Sequence, residues 1–158
     1  MILDLQTTFS GTVAADGTKS AQAITATAIS TNVLDLRNGS SPTLVDEALT
    51  GKDIWLVVQT IQAFNTLTSL TITFESDSTA NLATAPVVHF STGAILLAAL
   101  TANTVLARVQ LPSADYKRYC GLRYTVTGTN PTQGSILAQL VMDVDRNKVY
   151  PTGFTIDV

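Results

Sequence analysis

The residues of this chain that could do chemistry are few and far apart. His89 is the only histidine and Cys120 the only cysteine. Histidine-based nucleophilic catalysis would have to draw on that base and that thiol, and neither sits in a local signature of such an enzyme. A structural zinc site takes four ligands from His and Cys, and a cupin-type site takes several histidines with a carboxylate, so neither can be assembled. Asp143-Val144-Asp145-Arg146-Asn147 begins like a calcium loop. Lys148 then stands where the loop needs glycine, and Phe154 where the bidentate glutamate belongs. Asp143 and Asp145 would share one strand face, but no aromatic sugar platform lies near this carboxylate pair. No glycine-rich phosphate loop occurs. The expectation is no enzyme and no cofactor, with Cys120 as a small core hydrophobe and His89 as an ordinary core or surface residue.

Composition points to association instead. Of 158 residues, 46% are hydrophobic and only 13% charged, about half the usual charged share. Two readings fit that surface: part of it is covered by another chain, or it is polar through threonine and serine. A net charge of −3 speaks against a general nucleic-acid binder. The cations Arg108, Lys117, Arg118, Arg123, Arg146 and Lys148 crowd the last third, as a basic patch for an acidic partner or as a solvated rim. The longest apolar run, Ala94 to Leu100, is far short of a membrane helix. The first residues lack a signal-peptide pattern, so a soluble protein of intracellular origin is expected.

The elements that must carry these residues are strands. The length suits one domain. The stretch Tyr116 to Asp145 reads as a ribbon of two long strands reversed by Gly128-Thr129-Asn130-Pro131-Thr132-Gln133-Gly134. Leu122, Tyr124 and Val126 share a face on the first strand, and Ile136, Ala138, Leu140 and Met142 on the second. Asp53 to Gln62 is apolar on both faces, with Ile54, Leu56 and Val58 opposite Trp55 and Val57, which predicts a central or interfacial strand. Trp55 is expected to anchor a core or an interface. Thr68 to Glu75 turns Leu70, Ile72 and Phe74 inward. Residues 86–91 form a short strand with His89, and 104–111 a strand with Val105, Ala107, Val109 and Leu111 inward. Residues 21–36 suggest one or two strands, and Ala94 to Thr101 is either a helical turn or a buried connection. About eight strands without a long helix predict an all-β antiparallel sandwich or jelly roll.

Both ends read as arms around a central domain of residues 21–145. In residues 1–20 the apolar Ile2, Leu3, Leu5 and Phe9 precede a linker-like run from Ser10 to Thr18. Docking onto a neighbouring subunit is the favoured reading, and a first strand closing a sheet edge is the alternative. In residues 146–158, Tyr150, Phe154 and Ile156 are apolar anchors in a stretch broken by Pro151 and Gly153.

Several ordered segments resemble the capsid cement, or decoration, proteins of short-tailed bacteriophages, the Bordetella-phage type in particular. They are Met1-Ile2-Leu3-Asp4 with Phe9-Ser10, Ala21 to Thr27, Ser30 to Leu36, Trp55 to Gln59, Ser91 to Ile95, Arg118 to Tyr124, and Asp143-Val144-Asp145 leading to Tyr150-Pro151. Gly11 to Ser20 is longer than that family's pattern. The resemblance implies a jelly roll with extended terminal arms, made in the host cytoplasm and bound to the capsid exterior of the virion. It implies a homo-oligomer, a dimer foremost, that staples neighbouring major capsid proteins, with no specific nucleic acid and no membrane. The capsid or subunit interface residues expected from the apolar arms, the two-faced strand and the basic cluster are Ile2, Leu3, Leu5, Phe9, Trp55, Lys117, Arg118, Tyr150 and Phe154. A virion-displayed carbohydrate-binding jelly roll is the competing expectation.

Overall fold

The structure is a computed structural model that describes residues 7–13, 19–36 and 54–141. Six strands are short: β1 (Thr8–Ser10), β2 (Thr12–Val13), β3 (Lys19–Ser20), β4 (Gln22–Ala23), β5 (Ala28–Ile29) and β6 (Leu34–Asp35). Six are longer: β7 (Trp55–Gln62), β8 (Leu67–Asp77), β9 (Val87–Leu96), β10 (Val105–Gln110), β11 (Tyr119–Gly128) and β12 (Ser135–Val141). One antiparallel sheet runs β1-β12-β7-β10, with β4 also on β12; the other runs β5-β11-β8-β9, with β6 also on β11. β2 and β3 pair by themselves.

When β1 and β4 are counted as one strand, and β5 and β6 as another, eight strands remain. Their orders are first-eighth-third-sixth and second-seventh-fourth-fifth, which is a jelly roll. The fold class expected from period-two patterning is therefore the one observed. The sheets face each other across one core. Leu56, Val58, Ile136 and Ala138 come from the first, and Leu70, Ile72, Phe74, Leu122 and Tyr124 from the second. β7 has a strand on each side, as its two apolar faces require.

Four expectations are corrected. The Tyr116–Asp145 stretch is no paired ribbon: β11 lies on β8 in one sheet and β12 on β7 in the other. Each has one apolar face, and placing the strands in opposite sheets sets those faces against each other across the core. The loop between them makes the crossing. Its ends, Gly128 and Gly134, have φ of 89° and 139°, and a Cβ on Gly134 would come within 2.3 Å of the Phe64 ring. Asn65 ties this loop to the β7–β8 turn, its Oδ1 accepting from the N–H groups of Thr132 at 2.9 Å and Gln133 at 3.1 Å.

The second correction concerns the N-terminal arm. Thr8 to Ser10 form β1 on the free side of β12, so the edge-closing alternative describes these residues. The third lengthens the His89 strand to Leu96. The strand continues through two bulges, the second at Thr92–Gly93, where Gly93 has φ 68°, and a 3₁₀ turn over Leu97–Ala99 follows. The fourth moves Val105 outward: the register of β10 shifts between Val105 and Ala107, so Val105 is exposed while Ala107 and Leu111 stay buried.

Candidate interaction surface

Phe9 was expected to leave the domain, and the fold instead encloses it. Its ring lies 5.8 Å from that of Phe74 across the sandwich, and its carbonyl accepts the N–H of Asn32 at 2.8 Å. Beside it, Ser10 Oγ and the Tyr124 hydroxyl hydrogen-bond at 2.6 Å between the sheets. Burial pushes the Tyr124 phenol far above its ordinary value. With β1 locked at both its backbone and its side chains, Phe9 is unavailable to a partner in this fold.

The two basic residues of the predicted interface are engaged within the chain. Arg118 grips Asp35 with both arms of its guanidinium, Nε to Oδ1 at 2.9 Å and Nη2 to Oδ2 at 2.8 Å, and lies over the Tyr119 ring. The bond to Asp35 raises the Arg118 pKa further. Lys117 donates its backbone N–H to Ser76 Oγ at 3.0 Å and its ammonium to the Ala85 carbonyl. Both side chains are half-buried and near each other in sequence, but they clasp different elements. Trp55 is half-buried on β7, in register with Val141 and Gln110. Ile2, Leu3, Leu5, Tyr150 and Phe154 lie outside the described residues, as do Asp143 and Asp145.

His89 has a serine beside it, a juxtaposition the sequence did not predict. Its Nε2 is 2.7 Å from Ser76 Oγ, and its ring is 4.5 Å from that of Tyr116. A serine next to an imidazole is the start of a nucleophile and base. Ser76 is fully buried, however, and its hydroxyl already accepts from Lys117. The pair works as a clasp that holds β9 and the segment before β11 onto β8. Burial lowers the His89 pKa below 6.5 and, with a smaller push from Cys120, raises that of Tyr116 to about 12. Cys120 is wholly buried, its thiol pushed up to about 12 by burial, as suits a core hydrophobe and not a nucleophile. Among the described residues no three His, Cys, Asp or Glu side chains could together hold a metal ion, and no helix is long and apolar enough to cross a membrane.

The outer face of the β5-β11-β8-β9 sheet carries an ion pair whose carboxylate is buried. Glu75 is 4% exposed, takes Arg123 Nε at 2.9 Å and Thr73 Oγ1 at 2.6 Å, and is roofed by the 78–86 loop, whose Leu82 carbonyl also receives Arg123. Asp77 anchors that loop. Burial alone would raise its pKa, but N–H groups of Thr84, Ser78 and Ala85 on its carboxylate bring it below the ordinary value.

This scaffold is the part of the chain that a known family covers. A family model, Bbp16, matches residues 18–140. The chain belongs to the Bbp16 family. The matched span runs from β3 to β12, so it takes in nearly the whole jelly roll of this Bbp16 protein. The family's name suggests a Bordetella phage protein. No curated protein matches the chain.

What sequence reasoning missed in this Bbp16 chain is β9. Val87, Val88 and Leu96 are large exposed hydrophobics, and Ile61 and Val105 are the others among the described residues. The signal was present in VVHFSTGAIL, ten residues without a carboxylate, lysine or arginine, split by the short-strand reading into a strand and an undecided segment.

Proposed function

We propose that this Bbp16 protein is a structural component of a phage virion, binding the outer surface of the capsid as a homodimer and stapling neighbouring major capsid proteins. The match to Bbp16 across the jelly roll carries the reading, being consistent with a phage structural protein. Two further observations support it. The groups that could do chemistry are turned to holding the fold: Ser76 and His89 clasp strands, and Cys120 is buried. The large apolar residues that stand exposed among the described residues suit contact with other protein. On this reading the protein is no enzyme and needs no cofactor.

Attachment is assigned to residues 1–6 and 142–158, with Ile2, Leu3, Leu5, Tyr150 and Phe154 as anchors and Phe9 withdrawn from the set. Fully burying one such side chain contributes roughly 1.5–3 kcal/mol, and repetition over a shell turns modest single contacts into durable attachment. The test is co-sedimentation with heads lacking the protein. Deleting residues 1–6 is expected to leave the thermal unfolding of the domain unchanged while releasing it from heads. Undiminished co-sedimentation of the truncated chain would overturn the arm, and absence of head binding by the intact chain would overturn the function. Selective binding on a glycan array would favour a carbohydrate module.

A further inference from the structure

The free side of β9 carries a pattern that no neighbour within the described residues uses. β9 pairs with β8 on one side only. Its register against β8 shifts twice, each time with one extra residue on β9: His89, and then one of Thr92 and Gly93. As a result Val88, Ser91, Ala94 and Leu96 stand opposite Glu75, Thr73, Thr71 and Ser69. Those β8 positions alternate with the core residues Leu70, Ile72 and Phe74, so the four β9 residues form an evenly stepped row on the outer face. The row reads large, small, small, large, and it is the same from either end. Its two large members are the most exposed hydrophobics described, Val88 at 53% and Leu96 at 62%.

We propose that β9 is a self-pairing edge. Two copies align their β9 strands antiparallel about a two-fold axis at Thr92–Gly93, so that Val88 of each copy meets Leu96 of the other and Ser91 meets Ala94. Such a contact is isologous and closes at two copies. Directly opposed side chains on one face are the unit of sheet pairing. Charge permits it: residues 87–96 include no Lys, Arg, Asp or Glu, and Glu75 and Arg123, one and two strands in, already neutralise each other at 2.9 Å. Exposed edges are ordinarily guarded by charge, and the other far edge, β10, presents Arg108. Bulges commonly turn an edge away; here they keep the outer row in step with β8. One paired edge buries less than the ~800 Å² per partner of a standard interface, so the dimer is expected to be concentration-dependent in solution. The proposal deepens the homodimer of the reading above and gives it a surface.

Sedimentation of the full chain over a wide concentration range, without capsids, tests this. The native protein is expected to dimerise, and Val88→Lys or Leu96→Lys to raise the dimer dissociation constant roughly tenfold or more while leaving thermal unfolding of the monomer intact. The double variant Val88→Glu with Leu96→Lys is expected to regain dimerisation, because opposite charges then face each other across the axis. A native protein that stays monomeric, single variants that dimerise like it, or a double variant no tighter than the singles would each overturn the proposal. Head binding, measured separately, keeps the two readings apart. Binding by a protein whose dimer ignores these substitutions overturns β9 pairing alone, and a β9-dependent dimer that ignores heads supports the pairing and overturns the capsid function.

Discussion

β8 and β9 lie side by side in one sheet and meet opposite fates. β8 is rich in threonine and serine, yet Leu70, Ile72 and Phe74 are wholly enclosed and even Ser69, Glu75, Ser76 and Asp77 are buried. β9 has long apolar side chains and no carboxylate, lysine or arginine, and it supplies three of the five large exposed hydrophobics among the described residues. Hydropathy does not explain the difference. β8 has β11 on one side, β9 on the other, the second sheet beneath and the 78–86 loop above, whereas β9 has one strand neighbour among the described residues. Burial here follows place in the sheet, and a strand's own composition decides only which of its faces turns inward.

Substitution on the two strands should break or confirm this contrast. Phe74→Ala on β8 is expected to cost about 3–5 kcal/mol in urea unfolding, because it opens a cavity between the sheets beside Phe9. Val88→Ala on β9 is expected to change stability by no more than about 0.5 kcal/mol at dilutions where the chain is monomeric. Equal losses would mean that β9 is as enclosed as β8.

The outer face of β8 gives the next largest effect. Arg123→Met is expected to cost about 2 kcal/mol, since Glu75 would keep a buried carboxylate with Thr73 as its remaining side-chain partner, and Arg123 is itself partly solvated. Adding Glu75→Gln should recover part of the loss. No recovery in the double variant would show that the packing of the arginine stem matters, and not its charge.

The inner face predicts a gain. Thr60 on β7 is fully buried, and its Oγ1 has no hydrogen-bond partner. Thr60→Val should therefore stabilise the fold by about 1 kcal/mol in the same unfolding assay. A loss would imply that the hydroxyl is satisfied by buried water.

The smallest effect is on pH. His89 has a folded pKa below 6.5, so the unfolded chain binds more protons than the folded one as the pH falls through that value. The stabilising contribution is complete above about pH 6.5 and is lost on acidification toward the folded pKa. Asp77 acts in the same direction but lower, around and below 3.8. A melting temperature that declines between pH 6.5 and 5, and a flatter profile in His89→Gln, would attribute that window to the β9 clasp. An identical slope in the variant would remove it.

Much of the fold could be read in advance because period two survives in the sequence wherever one face of a strand is buried. Leu70, Ile72, Phe74, Leu122, Tyr124, Ile136 and Ala138 all turned inward as their alternation predicts. Bulges defeat the same reasoning: an inserted residue reverses the alternation, which is why Val105 is exposed and why the alternation of β9 does not run on past Ser91. The Ser76–His89 clasp joins residues 13 apart, and the Asp35–Arg118 pair joins residues 83 apart, with no local motif to announce either. Phe9 looked detachable because a linker-like run follows it, and nothing in that run discloses that β12 has an edge to fill.

By itself the sequence determined that this chain would be a strand-built sandwich poor in charge, with one histidine and one cysteine and no spacing suited to a metal, a phosphate or a nucleophile. Those properties depend on residue type and short-range alternation, which the chain carries locally. Only the tertiary structure decided that β11 and β12 part company into opposite sheets, that Phe9 belongs to the core, and that Val88 and Leu96 stand uncovered on one edge. Each of these depends on which strand lies beside which, and pairing brings together residues far apart in the chain, leaving no trace in either segment alone.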